Sequence, residues 1–380
     1  MLETGYREIY DFVGHGRICG VQTMKLFLTS SAILPFVVVA GSVLLSGIAA
    51  TDTAGDEPKI TVHTVLGGLN NPCGVAIQDR TGHVFVSESG AGRILRVAQD
   101  VATPVVTGFP QDVYGTGTYE EGTRFDIGPL GLAFLDRNTL IVGGGGLPDG
   151  EDLVRFYTVP TDDSAISVEN TKTKSGPIPA GRESTKGEGD FYGVALGNDA
   201  VYVTCNGDDA KGWIARLAIS NGKPGKLTPF IQTRQATSGY APTCIVVSGE
   251  GYLVVGQMSA TTVDGDSRLT FYDAKSKAVL SAFSTGLHDI VALAYSPRRK
   301  LLYALQFGWG PNSEAGGLYR LDSDIKDGKQ TVQAVKIVSI EKPTAMAFSP
   351  NGSLYVTAMG KREADADKKP GTLLRLTGHL

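Results

Sequence analysis

Seven polar side chains stand where an extended run of the sequence begins or ends: Glu88, Asp126, Asp190, Asn206, Asp208, His288 and Asp289. Carboxylate, amide and imidazole groups drawn from separate segments suit a polar or cationic molecule, and an imidazole beside a carboxylate can serve as a general base with its partner. Only four His follow residue 23, and of these His288, paired with Asp289, directly precedes an apolar run. His288 and Asp289 are therefore the candidate catalytic residues, with a hydrogen-bonded structural histidine as the other reading. Glu88, Asp190, Asn206, His288 and Asp289 form the expected ligand-binding set.

Other local patterns carry less. Residues 143–146 and 115–118 are Gly-rich, but no helix follows to offer its N-terminus to a phosphate. Asp264-Gly265-Asp266 and Asp365-Ala366-Asp367 begin like calcium loops and lack the remaining ligands. There is no Gly-x-Ser-x-Gly elbow and no zinc-type His/Cys spacing, so no metal site is expected. Charges are scattered, with 35 basic against 39 acidic residues, which leaves no nucleic-acid footprint.

The elements that must hold these side chains repeat. Residues 71–97 contain an apolar run (Gly74-Val75-Ala76-Ile77), a polar turn, a second run (Val84-Phe85-Val86), a Gly-rich loop and a third run (Ile94-Leu95-Arg96-Val97). Short β-branched and aromatic runs punctuated by Gly, Asp and Asn read as strands. The first run returns at Gly131, Gly193, Cys244, Ala292 and Ala345, at spacings of 48 to 62 residues. A drifting period near fifty residues fits four-stranded blades and predicts an all-β, six-bladed β-propeller. Small residues opening the first run place it innermost, where blades crowd. Fourth, outer strands are expected at residues 103–107, 165–170, 226–232, 278–284 and 331–337. The sixth copy lacks one, and residues 59–66 resemble the segment preceding that copy, so the N-terminal strand should close the last blade. Arg recurs in the third run at 96, 155, 216, 320 and 375, as expected of a packing or inter-blade bonding device. Connections between the second and third strands, and from one blade to the next, are long and share one face, the usual place for binding.

Residues 24–50 combine a basic start, an apolar stretch and a small-residue exit, the signature of a signal peptide. Residues 1–23 then read as an over-extended gene start, 51–58 as a linker and 59–380 as the propeller, secreted or periplasmic and monomeric. A membrane anchor is the rival reading of the apolar stretch. Beyond the leader lie Cys73, Cys205 and Cys244; a Cys205–Cys244 bridge and three buried thiols are both open.

The stretches GGLNNPCGVAIQDRTGHVFVSESGAGRILRV and EKPTAMAFSPNGSLYVTAMG resemble the blades of NHL-repeat and senescence-marker/gluconolactonase propellers. That resemblance implies calcium held by Asn and Asp just before the Gly opening certain inner strands. Here those positions are Cys73, Leu130, Tyr192, Thr243, Val291 and Thr344, so calcium and lactonase activity do not carry over. The first copy is also similar to quinone-dependent sugar dehydrogenases in Gly68-Leu69-Asn70-Asn71-Pro72 and in Glu88, without their His/Arg-rich cofactor site. The expectation is a non-catalytic propeller, without cofactor, binding a small polar molecule or a protein on its long-loop face. The alternative is a lactonase-like hydrolase with a divergent metal site.

Overall fold

The computed structural model describes residues 60–114, 125–206, 212–237, 241–258, 263, 265–309, 314–361 and 368–380. The leader, Asp208, Asp264 and the 115–118 and 365–367 segments lie outside these. Among the described residues no helix is long and apolar enough to cross a membrane.

Six antiparallel sheets form the blades of a β-propeller. Their inner strands are Pro72–Ile77, Pro129–Phe134, Phe191–Leu196, Pro242–Val247, Ile290–Tyr295 and Pro343–Phe348. Each packs beside the inner strand of the next blade, and the sixth returns to the first. The crowding explains the small residues: a Cβ on Gly74 would run into the carbonyl oxygen of Leu130, and one on Gly131 into that of Tyr192. Apolar side chains alternate between blades and fill the inter-blade layers, as where Phe85 and Ile94 of blade 1 meet Leu132 and Leu140 of blade 2.

Closure occurs as expected. Thr61–Leu69 pairs antiparallel with Gly371–Thr377 and so supplies the outer strand of blade 6. One expected outer strand is misplaced. In blade 2 that position is taken by Thr173–Ser175, pairing with Val154–Thr158. The expected 165–170 segment instead adds Ile166–Ser167 in parallel to Val101–Thr107, the outer strand of blade 1. Its apolar residues explain the choice, because Val168 is buried among Phe109 and Tyr157 and its carbonyl accepts the Tyr157 hydroxyl at 2.9 Å.

The repeated Arg serves more than one purpose. Arg96 crosses to the next blade, donating to the carbonyls of Pro160 and Asp162 at 2.8 and 2.7 Å. Arg216 and Arg320 pair within their own blades, with Asp199 and Asp322. Cys73, Cys205 and Cys244 are buried free thiols, the second of the two readings left open by the sequence.

Candidate functional site

One backbone feature builds the mouth of the channel. In every blade the ladder between inner and second strand slips just after its first pair, at Pro72/Gly74, Pro129/Leu132, Phe191/Val194, Pro242/Cys244, Ile290/Ala292 and Pro343/Ala345. Such bulges set two residues against one and re-aim a side chain. Four of the six begin with Pro, which lacks the ladder N–H and is tolerated as the first residue of a strand. The re-aimed residues are Cys73, Leu130, Tyr192, Thr243, Val291 and Thr344, and all six line one cavity of about 140 Å³. This is the long-loop face, where inner strands begin.

Bulging also takes backbone carbonyls out of the ladder, and hydroxyls from the preceding blade meet them. Ser87 Oγ donates to Leu130 O at 2.7 Å, Thr204 Oγ1 to Thr243 O at 3.2 Å and Thr344 Oγ1 to Pro72 O at 2.6 Å. The Tyr192 hydroxyl crosses from blade 3 to donate to Thr344 O of blade 6 at 2.6 Å. Burial holds its phenol well above the usual value, so it stays a donor. Tyr192, with Cys73 and Val291, also borders the channel beneath, of about 260 Å³, and so forms the floor between the two spaces.

Loops complete the wall with Phe125, Ile127, Met258, Phe307, Trp309 and Met359. Phe125 belongs to a small hairpin between blades 1 and 2, Asp112–Tyr114 with Phe125–Ile127. It reaches residues following the second strand of blade 5, with ring centroids 5.9 Å from Phe307 and 5.6 Å from Trp309. Phe307 and Trp309 are themselves 4.8 Å apart. The wall is thus apolar and aromatic rather than a ring of polar groups.

Of the five expected site residues, two reach this wall: Asp190 and Asn206. Asp190 opens the inner strand of blade 3 in the left-handed region, at φ 48°, as do Asn71 and Lys342 at the same point of blades 1 and 6, at 46° and 48°. Its N–H donates to Asp152 Oδ2 at 3.1 Å, while Asp152 Oδ1 accepts from Leu147 at 3.2 Å. Asp152 is itself buried, which pushes its carboxyl up to about 6. Asn206 follows the second strand of the same blade and donates its N–H to Gly189 O.

The other three are not among the lining residues. Glu88 is buried and accepts the Asn70 N–H at 2.9 Å and Arg93 Nε at 2.6 Å. Its carboxylate therefore ties the Gly68-to-Pro72 turn to the second strand. Asp289 is buried and accepts from Gly308 N at 3.0 Å and Trp309 N at 2.7 Å, fixing the segment that carries the two aromatic rings. Burial raises its carboxyl against the pull of those N–H groups. His288 is buried too; its N–H donates to Gln306 Oε1 at 2.9 Å and its ring Nδ1 lies 2.6 Å from Val263 O. Asp126, from the wider set, is exposed, and its carbonyl accepts Asn71 Nδ2 at 3.2 Å.

With this geometry in view, structural neighbours can be placed. No protein-family profile matches the chain, and no curated protein matches it. Among solved structures, a putative oxidoreductase (glucose dehydrogenase) from Thermus thermophilus superposes with TM-score 0.55 at 19% identity, covering 84% of this chain and 100% of that one. The pyrroloquinoline-quinone-bound aldose sugar dehydrogenase from Streptomyces coelicolor gives 0.54 at 16%, covering 84% and 99%. A putative gluconolactonase gives 0.50 at 14%, covering 86% and 93%. The shared property is the fold. A fold of this kind hosts many activities, so function rests on the mouth.

Among the described residues, the mouth offers little to hold either pyrroloquinoline quinone or calcium. Pyrroloquinoline quinone carries three carboxylates, and among the described residues the cavity wall has no Lys, Arg or His to meet them. Calcium takes six to eight oxygens, whereas the described residues of the wall provide one carboxylate, one side-chain amide and the hydroxyls of Thr243 and Thr344. No group of three His, Cys, Asp or Glu side chains able to hold a metal occurs among the described residues.

Proposed function

We propose that the chain is an exported propeller that binds a small molecule in the mouth cavity, its apolar body against the aromatic wall and one polar end toward Asp190 and Asn206. The observation that carries this reading is the convergence of six bulged inner-strand residues and the Phe125, Phe307 and Trp309 rings on one concavity. Largely apolar pockets with a few placed polar groups are the usual form of small-molecule sites. Binding without catalysis is favoured because neither the thiol nor the phenol of the described wall is an activated nucleophile: burial pushes the Cys73 thiol up to about 12, and Tyr192 stays protonated.

The test uses the native fluorescence of Trp309, in a Trp213→Phe background because the chain has two Trp. Neutral 2-phenylethanol should change the emission saturably. Val291→Phe, which fills the cavity from its wall, should abolish that response while the protein still melts cooperatively. A response unchanged by Val291→Phe would place binding elsewhere and refute the reading.

A further inference from the structure

We propose that the ligand of the mouth is a protonated organic amine with a single-ring apolar body, its ammonium held between Asp190 and Asn206. This rests on the reading of the mouth as a small-molecule site and names the class of molecule it takes.

The wall asks for a donor. Asn206 Oδ1 is buried and has no hydrogen-bond partner among the described residues, although Asn206 lines the cavity. A buried acceptor in this state is costly and is met by water or by a ligand N–H or O–H. A carboxylate or phosphate oxygen cannot serve it. Asp190 shares that wall and is its one charged residue among those described. A carboxylate accepts at about four lone-pair sites, so the site does not require Asp190 to be free of other partners. Burial is the main cause disfavouring the Cys73 thiolate across the mouth, and the Asp190 carboxylate acts in the same direction. Asp149 and Asp152 lie close behind, within reach of a Cβ placed on Gly189, and add to the negative field.

The aromatic cluster agrees in sign. Ring faces are electron-rich and attract ammonium groups. The protein already uses this, since Lys342 Nζ sits 4.9 Å from the Phe307 centroid while donating to the Gly308 carbonyl. Size limits the body. A cavity of 140 Å³ is close to the roughly 150 Å³ apolar cavities that take up one benzene, leaving a short chain to carry the amine to the rim.

The experiment is calorimetric titration of the full chain at pH 7 with three probes of matched body: 2-phenylethylamine, 2-phenylethanol and 3-phenylpropanoate. The amine should bind at least about tenfold tighter than the alcohol, a difference of about 1.4 kcal/mol, and the carboxylate should bind weakest. Asp190→Asn, a residue tolerated at positive φ, should remove the amine's advantage over the alcohol. Alcohol or carboxylate binding as tightly as amine, or an amine advantage that survives Asp190→Asn, would overturn the amine assignment while leaving the mouth as a binding site. Absence of binding by all three would overturn both.

Discussion

Asp289 decides between chemistry and architecture at the most catalytic-looking dipeptide of the chain. Replacing it by Ala removes the acceptor for the Gly308 and Trp309 N–H groups, which it holds at 3.0 and 2.7 Å, Gly308 being buried. Leaving a buried donor unmet costs about 1–3 kcal/mol each. Against this stands the relief of removing a carboxylate whose burial raises its pKa. The net expectation is a loss of about 2–4 kcal/mol. In a ring of this size about 2 °C of melting temperature goes with each kcal/mol, so the melt should fall by about 4–8 °C. The freed segment carries Phe307 and Trp309, so the variant's Trp309 emission should shift even without ligand. Circular dichroism melts with fluorescence spectra on the same samples provide both readouts. An Ala variant that melts within about 1 °C of the parent and keeps its emission would refute the anchoring argument, and would return His288-Asp289 to candidacy as a base and its partner.

Ring closure predicts that deleting residues 61–69 leaves Gly371–Thr377 as an exposed edge, an aggregation hazard; a truncated chain that stays monomeric and melts like the parent would show that closure does not depend on this strand. Burial pushes the Cys73 and Cys244 thiols up to about 12 and raises Cys205, so in a chain beginning after Cys19 a thiol reagent at pH 8 should leave all three untouched in the native protein and titrate all three in denaturant. Recovery of only one would reinstate a disulfide. Asp152 gives a pH dependence of defined sign: its folded pKa of about 6 exceeds the unfolded value of about 4, so its contribution is full below about pH 4 and is lost as pH rises through 6. At about 1.36 kcal/mol per unit that is about 3 kcal/mol, and melts of parent against Asp152→Ala should show the parent losing its relative advantage between pH 4 and 7.5. A constant difference over that interval would contradict the burial argument.

The six inner strands were legible in the sequence because each is largely buried and reads as a short apolar run between turns; their closing partner, Thr61–Leu69, is mostly exposed and was legible through its likeness to the segment preceding the sixth copy. The outer strand of blade 2 was not. Thr173–Ser175 is a three-residue polar edge with no hydrophobic signal, whereas Ile166 to Val168 carries the apolar pattern of a strand and is one, paired to the neighbouring blade. Pattern reveals that a segment is extended, not which edge it joins. The same limit explains the polar candidates. Glu88, His288 and Asp289 were recognisable as polar groups at strand ends, but strand ends in a bulged ring must satisfy displaced N–H and C=O groups, and that is the use the structure makes of Glu88 and Asp289.

The signal for the site was nonetheless present, in the residues set aside for lacking metal ligands. Pro72-Cys73, Pro129-Leu130, Pro242-Thr243 and Pro343-Thr344 repeat one motif, a Pro followed by a residue that the bulge turns into the channel. Because that geometry is set by backbone, the six re-aimed side chains can change without disturbing the ladder. A mouth with carboxylates and amides at these points would suit a hard cation; Cys73, Leu130, Tyr192 and Val291 offer it fewer oxygens and more apolar surface. The carboxylate and the side-chain amide among the described lining residues, Asp190 and Asn206, both come from blade 3. In the binding reading proposed above, a ligand would therefore be held asymmetrically, polar end to that blade and body toward the aromatic rings supplied by the hairpin after blade 1 and by blade 5.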